Sequence, residues 1–154
     1  MKVSPEAVAV VKRFEGFHKV VRKALPVTAS PYVCPAGYWT IGYGHLCQQN
    51  TAPITEGEGE RLLSLDLEVA LGGALRASPA LAGDEERLAA IVSFIFNLGA
   101  GAYQASTLRR KVNVQDWPEA GRQIRRWVHG GGRVLPGLVA RREVEALMLE
   151  RGSS

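Results

Sequence analysis

Apolar positions near the start of the chain fall at Val8, Val11 and Phe14, the spacing of one helix face, and they begin directly after Ser4-Pro5. A serine N-cap with proline at the first helical position predicts a helix that closes at Glu15-Gly16. The period is lost from His18 to Ser30, where a basic cluster (Lys19, Arg22, Lys23) and Pro26 predict a loop or irregular hairpin. Between Pro31 and Cys47 the pattern turns strand-like. Tyr32, Val33, Tyr38, Trp39, Thr40, Ile41 and Tyr43 are β-prone, and Gly37, Gly42 and Gly44 punctuate them. This stretch predicts a small antiparallel sheet of two or three short strands.

After the polar segment Gln48 to Pro53, helical spacing returns. Thr55 and Glu58 form a capping box, and Leu62, Leu65, Val69 and Leu71 are expected on one side of the helix it opens, with Gly72-Gly73 interrupting or kinking it. Asp84-Glu85-Glu86 opposes the dipole at the start of the next helix. Its nearly all-apolar run, Leu88 to Leu98, is the expected central buried element, ended by Gly99 and Gly101. Ser106 predicts a cap for a short helix, Thr107 to Val112, and Asp116 with Pro118 a helix running to about Val128. Gly130-Gly131-Gly132 reads as a flexible break, and Pro136 to Met148 as a last helix with Leu138, Val139, Val144 and Leu147 as its apolar positions. The order predicts an α+β fold, predominantly α, as a single domain over residues 1–154. A sheet lobe at about 16–50 would lie beside a helical lobe at about 54–150 that includes the first helix, with Glu15 on the wall of a cleft between them.

At 154 residues and 46% apolar content, the chain can bury roughly two-thirds of the surface its unfolded form exposes. Charge is uneven, +4 over residues 1–50, −5 over 51–100 and +5 over 101–154. The basic last third favours an anionic partner, envelope polymer or nucleic acid, with Arg125, Arg126 and Arg133 as expected carriers. Glu6, Lys12, Arg13 and Glu15 interrupt the first stretch, so no signal peptide is read there. No apolar run approaches the ~20 residues of a membrane span, and a soluble cytoplasmic product is the expectation. Two cysteines, Cys34 and Cys47, make no disulfide framework, although one bridge between them on a short hairpin stays open. His18, His45 and His129 lack metal-ligand spacing, and no cofactor is expected.

Glycoside hydrolysis needs a protonated carboxyl beside the leaving oxygen and a second group that activates water or stabilises an oxocarbenium-like charge. Glu15, between Phe14 and Phe17 at the end of an apolar helix, is the candidate for the first role, since desolvation favours its protonated form. Four blocks bear on this. They are Phe14-Glu15-Gly16-Phe17, the run from Cys34-Pro35-Ala36-Gly37-Tyr38-Trp39-Thr40 through Ile41-Gly42-Tyr43-Gly44-His45, Ser93-Phe94-Ile95-Phe96-Asn97-Leu98-Gly99, and Gly137-Leu138-Val139-Ala140-Arg141-Arg142-Glu143. Through them the chain resembles the phage lysozymes of glycoside hydrolase family 24 over nearly its whole length.

That family spaces a Glu, eight residues, an Asp or Cys, five residues and a Thr. Cys34 and Thr40 keep the second interval. Eighteen residues separate Glu15 from Cys34, an insertion of about ten within Val20 to Ser30, and the triad requires that it loop out and return the strand to register. The resemblance implies that Glu15 protonates the bond between N-acetylmuramic acid and N-acetylglucosamine in bacterial peptidoglycan, while Cys34 and Thr40 position or activate water. A free thiol titrates near ~8.5 and is a weak base unless ionised. The resemblance also places Leu46, Phe96 and Thr107 along the glycan and sets Arg141 or Arg142 to orient Glu15, at least one of the two arginines being solvated. Gly42 and Gly44 would let the backbone turn tightly near a sugar. The implied protein is a monomeric endolysin that leaves the host cytoplasm through a phage holin pore and lyses the cell.

Three rivals stay in view. Arg109-Arg110-Lys111 and Arg125-Arg126-Trp127 suggest a nucleic-acid-binding module, but no recognition-helix or stacking signature accompanies them. A catalytically inactive wall-binding relative would pellet with peptidoglycan and release nothing. A lytic transglycosylase would use the same acid and leave an anhydro end.

Overall fold

Ser4 opens the first helix as its pattern requires: its Oγ accepts the Ala7 N–H at 3.3 Å, and α1 runs Pro5–Glu15 before Gly16 takes φ 68°. The computed structural model describes residues 2–17, 20–22 and 27–153, so His18, Lys19, Lys23 and Pro26 of the predicted loop lie outside the described residues. The chain divides into two compact units, Lys12–Asp66 and Met1–Val11 with Leu67–Ser154.

In the first of these, six short strands follow α1: β1 (Val20–Arg22), β2 (Thr28–Ala29), β3 (Tyr32–Val33), β4 (Trp39–Ile41), β5 (His45–Leu46) and β6 (Ile54–Thr55). They make two antiparallel three-stranded sheets, ordered β1-β2-β6 and β3-β4-β5. The second is the small sheet of short strands expected between Pro31 and Cys47; the first adds β6 to the hairpin that precedes it. The described residues of the inserted segment form the irregular hairpin expected there, β1 with β2, with a register shift between Val20 and Arg22, and β2 pairs onward with β6. The capping box opens the next helix, with Thr55 Oγ1 3.2 Å from both the Glu58 N–H and the Glu58 carboxylate.

Helix α2 (Glu56–Ala77) passes through Gly72-Gly73 without interruption. A Cβ at Gly73 would meet the Ala100 Cβ at 3.4 Å, so a glycine there leaves room for a neighbouring element. Its buried stripe is Leu63, Leu67, Ala70 and Ala74, while Leu65 and Val69 are exposed, contrary to the expected face. Apolar residues lie nearly all round this helix, and small alanines rather than Leu65 and Val69 permit close packing.

The second unit continues with a 3₁₀ turn (Pro79–Leu81), α3 (Glu85–Leu98), α4 (Ala100–Gln104), α5 (Thr107–Asn113), α6 (Trp117–Ile124), β7 (His129–Gly130), β8 (Arg133–Val134) and α7 (Pro136–Arg151). Asp84, Ser106 and Asp116 cap α3, α5 and α6 by accepting the N–H groups of Arg87, Arg109 and Glu119. Gly99 ends α3 but Gly101 lies inside α4, and α6 stops at Ile124, short of the expected Val128. The predicted break at Gly130 to Gly132 is an antiparallel hairpin, because Gly131 (φ 60°) and Gly132 (φ 79°) supply the two positive φ angles of its turn. Residues Ala89 to Ile95 of α3 are all buried. Around them Phe94 meets Tyr103 and Trp127 edge-on, and Ser78 shares a 2.6 Å hydrogen bond with the Tyr103 hydroxyl. Helix α7 buries Arg141, Arg142, Glu145, Ala146, Met148 and Leu149, and leaves the expected Val139 and Leu147 exposed. Among the described residues no helix is long and apolar enough to cross a membrane.

The C-terminal end is fastened to α3. Asp84 Oδ1 accepts the Ser153 N–H and hydroxyl, each at 3.0 Å, while Arg87 pairs with Asp84 at 2.9 Å and donates to the Leu149 carbonyl at 2.7 Å. Burial alone would raise the Asp84 pKa, but the donors of Arg87 and Ser153 outweigh it and hold the carboxyl below its ordinary value. The carboxylate's stabilisation is therefore complete above its unfolded value near ~3.9 and is lost as pH falls through the depressed folded value. Asp84→Asn, which keeps the cap, is expected to flatten the acid limb of a Tm-against-pH curve; an unchanged limb contradicts this.

Candidate active site

The segment joining β3 to β4 is a tight hairpin. Cys34 N–H donates to the Tyr38 carbonyl at 2.9 Å and Gly37 N–H to the Cys34 carbonyl at 2.8 Å, with Pro35 pre-set for the turn and Gly37 at φ 90°. This turn wraps the Cys34 sulfur in donors. Burial alone would raise the thiol pKa, but the backbone N–H of Tyr38, the Thr40 hydroxyl and the N–H groups of Ala36 and Gly37 more than offset it and lower the value. Thr40 is 3% exposed, and its Oγ1 lies 2.9 Å from the Tyr38 carbonyl. Its single proton serves the carbonyl or the sulfur, and its lone pairs stay available to a water.

Register brings a residue into this cluster that the sequence reading did not single out. Tyr32 lies directly opposite Thr40, which lies opposite Leu46, so the three form one row across β3-β4-β5. Strand alternation adds Cys34 to the same face. Half-buried Tyr32 has its pKa pushed up to about 12, first by burial and then by the negative charges of Glu15, Cys34 and Cys47. It therefore remains a neutral hydroxyl donor, and its dependence on Glu15 and Cys34 means that both act at the same phenol. Glu15 itself is half-buried.

Behind this cluster Phe17 packs on Tyr43 at 5.4 Å, and the Tyr43 hydroxyl donates to Glu56 Oε1 at 2.7 Å. His45 Nδ1 lies 2.8 Å from Asp66 Oδ2, tying β5 to α2. A Cβ at Gly59 would come within 2.9 Å of the Phe17 ring. Gly59→Ala gains helix propensity of about 1 kcal/mol but is overpacked by about 1–3 kcal/mol, so a lower Tm is expected in a thermal melt; a raised Tm contradicts it.

Cys34 and Cys47 are free thiols. Strand β4 separates β3 from β5, and two strand spacings, about 10 Å, exceed the ~7 Å Cα limit for a bridge, which closes the disulfide alternative. Among the described residues no three metal-binding side chains converge.

The remaining expected site residues lie in the second unit, apart from Leu46, which is 64% exposed on β5. Phe96 on α3 is half-buried, as is Thr107 at the start of α5, where its hydroxyl accepts from Arg110 at 3.0 Å. Neither Arg141 nor Arg142 is solvated, contrary to expectation. Arg141 donates to the Ser93 hydroxyl and carbonyl, both at 3.2 Å. Arg142 pairs with Glu145 at 2.5 Å and stands over the Phe94 ring at 5.1 Å. Arg125 is also less available than its sequence suggests, because it pairs with both Glu143 and Glu150, while Arg126 and Arg133 face solvent.

The chain matches the family model described as Phage lysozyme over residues 12–145. An endolysin of Acyrthosiphon pisum secondary endosymbiont phage 1 is 32% identical over 155 residues, covering 97% of this chain and 99% of that one. A SAR-endolysin of Bacteriophage PS119 is 39% identical over 124 residues, 77% of this chain and 72% of that one. Among solved structures, the muramidase domain of SpmX from Asticaccaulis excentricus has a TM-score of 0.77 at 28% identity, covering 96% of this chain and 97% of that one. An endolysin from Escherichia coli O157:H7 phage FAHEc1 shares the fold at a TM-score of 0.77 and 24% identity, covering 98% and 94%. The expected fold class, predominantly α with small antiparallel sheets, is the one these structures share.

Proposed function

From the premise that this chain belongs to the phage lysozyme family, we propose that it hydrolyses the glycan strands of bacterial peptidoglycan with Glu15 as general acid and Cys34 and Thr40 as the groups that handle water. The supporting observation is the thiol ringed by donors, two residues from Thr40's partner Tyr32, whose phenol pKa is raised by both Glu15 and Cys34. Glu15 gives its proton to the oxygen between N-acetylmuramic acid and N-acetylglucosamine, and positive charge builds at the anomeric carbon as the bond breaks. Thr40 accepts a hydrogen bond from the incoming water, whose proton passes to the Cys34 sulfur as oxygen bonds to that carbon. The lowered thiol pKa makes this transfer accessible nearer neutral pH than for an ordinary cysteine.

Leu46, Phe96 and Thr107 contact the glycan in this reading, and Arg141 or Arg142 is the orienting cation for Glu15. The protein acts as a monomeric endolysin, reaching the wall through a holin pore.

Release of soluble fragments from purified peptidoglycan by Cys34 variants tests the assignment. Cys34→Ser, which cannot ionise in this range, is expected to lose about 10²–10⁴-fold in rate. Cys34→Asp is expected to recover activity and carry it to lower pH, because an ordinary carboxylate ionises near ~3.9, far below the thiol range. Equal rates and pH profiles for cysteine and serine would remove the sulfur from the mechanism.

A further inference from the structure

Tyr38 is the residue through which Cys34 and Thr40 are held. Its carbonyl accepts the Cys34 N–H and the Thr40 hydroxyl, each at 2.9 Å, and its own N–H serves the Cys34 sulfur. The backbone is thus occupied by the site, but the ring is turned outward and is 61% exposed. It directly precedes β4, two residues before Thr40, and exposed Leu46 lies directly opposite Thr40. Two large apolar side chains therefore stand in water around a buried hydroxyl, although β4 already anchors itself in the core through Ile41, which is 1% exposed.

We propose that the Tyr38 ring is a stacking platform for one pyranose ring of the glycan, the N-acetylated amino sugar next to the scissile bond on the side where water attacks. Such a sugar has an apolar C–H face and a polar rim. A flat aromatic ring on a fixed backbone meets that face with few rotamers to freeze, and a phenol hydroxyl at its edge tolerates the rim. A stem peptide would instead need free backbone acceptors, and the Tyr38 carbonyl is already taken twice. The inference rests on the reading of Cys34 and Thr40 as the water-handling pair.

Two measurements test it: calorimetric binding of a soluble chitin oligosaccharide in a Glu15→Gln background, and KM against kcat on soluble glycan strands with Glu15 intact. Tyr38→Ala is expected to weaken binding and raise KM about tenfold, the effect falling on KM rather than kcat, while Tyr38→Phe stays within about twofold. Val69→Ala, an equally exposed apolar position on α2, is expected to change neither. Unchanged binding in Tyr38→Ala overturns the proposal, as does an equal loss in Tyr38→Phe, which would place the effect in the hydroxyl. A fall in kcat and Tm with binding intact also overturns it, leaving a structural role. If Glu15→Gln stayed active while Tyr38→Ala lost affinity, the catalytic assignment would fail and the platform would stand.

Discussion

Glu15→Gln is expected to lose about 10²–10⁴-fold in fragment release from peptidoglycan with Tm unchanged. Glutamine keeps the size of the side chain and its capacity for hydrogen bonds at the end of α1, so the fold and the approach of the glycan should survive. Only the transferable proton is lost. The proton matters because the leaving sugar oxygen is a poor leaving group until it is protonated, and no group at the Cys34 to Thr40 turn can replace the donor from the other side of the bond. Turbidity loss of outer-membrane-stripped cells gives the rate, and a thermal melt of the same sample gives Tm. Activity within tenfold of wild type would take Glu15 out of the acid role; an equal fall in Tm would mean that the substitution had damaged α1 instead.

The largest effects on stability are expected at the Arg142 and Glu145 pair. Both side chains are fully buried, and Glu145 Oε1 lies 2.5 Å from Arg142 and 4.0 Å from Arg141. Burial pushes Glu145 up and Arg142 down, each against the attraction of the other. Removing one partner leaves a buried charge uncompensated, so Glu145→Leu or Arg142→Met is expected to cost about 3–5 kcal/mol. For a chain of this length that corresponds to a fall of roughly 10 °C in Tm. The double variant puts apolar volume in place of both charges and is expected to recover most of the loss, by the same reasoning. Denaturant titrations of the four proteins form a double-mutant cycle. Additive losses in the double variant would show that the two residues do not act as a pair.

Local chemistry made part of this fold readable. Ser4, Ser106 and Asp116 announce helix starts through groups that act within three residues, and each accepts the N–H its position requires. The misreadings arise where partners are distant. Leu65 and Val69 match a helical period as well as Leu63 and Leu67 do, and only packing selects the second pair. On α7 the inward face carries Arg142 and Glu145, so a search for apolar positions settles on exposed Val139 and Leu147. Helix α4 has five residues, too few to show a period, and the β7 to β8 turn uses glycines that look like a break. At the site, the spacing of Cys34 and Thr40 was legible as a motif. Tyr32 was not, because only strand register sets it against Thr40.

Cleavage of purified peptidoglycan in heavy-oxygen water, followed by mass spectrometry of the soluble fragments, tests most directly whether water handled beside Cys34 and Thr40 completes the reaction. One heavy oxygen at each new reducing muramic acid end is the expected result. New ends that are anhydro sugars without the label would contradict it, because the sugar would then have attacked itself and no water would have entered the bond.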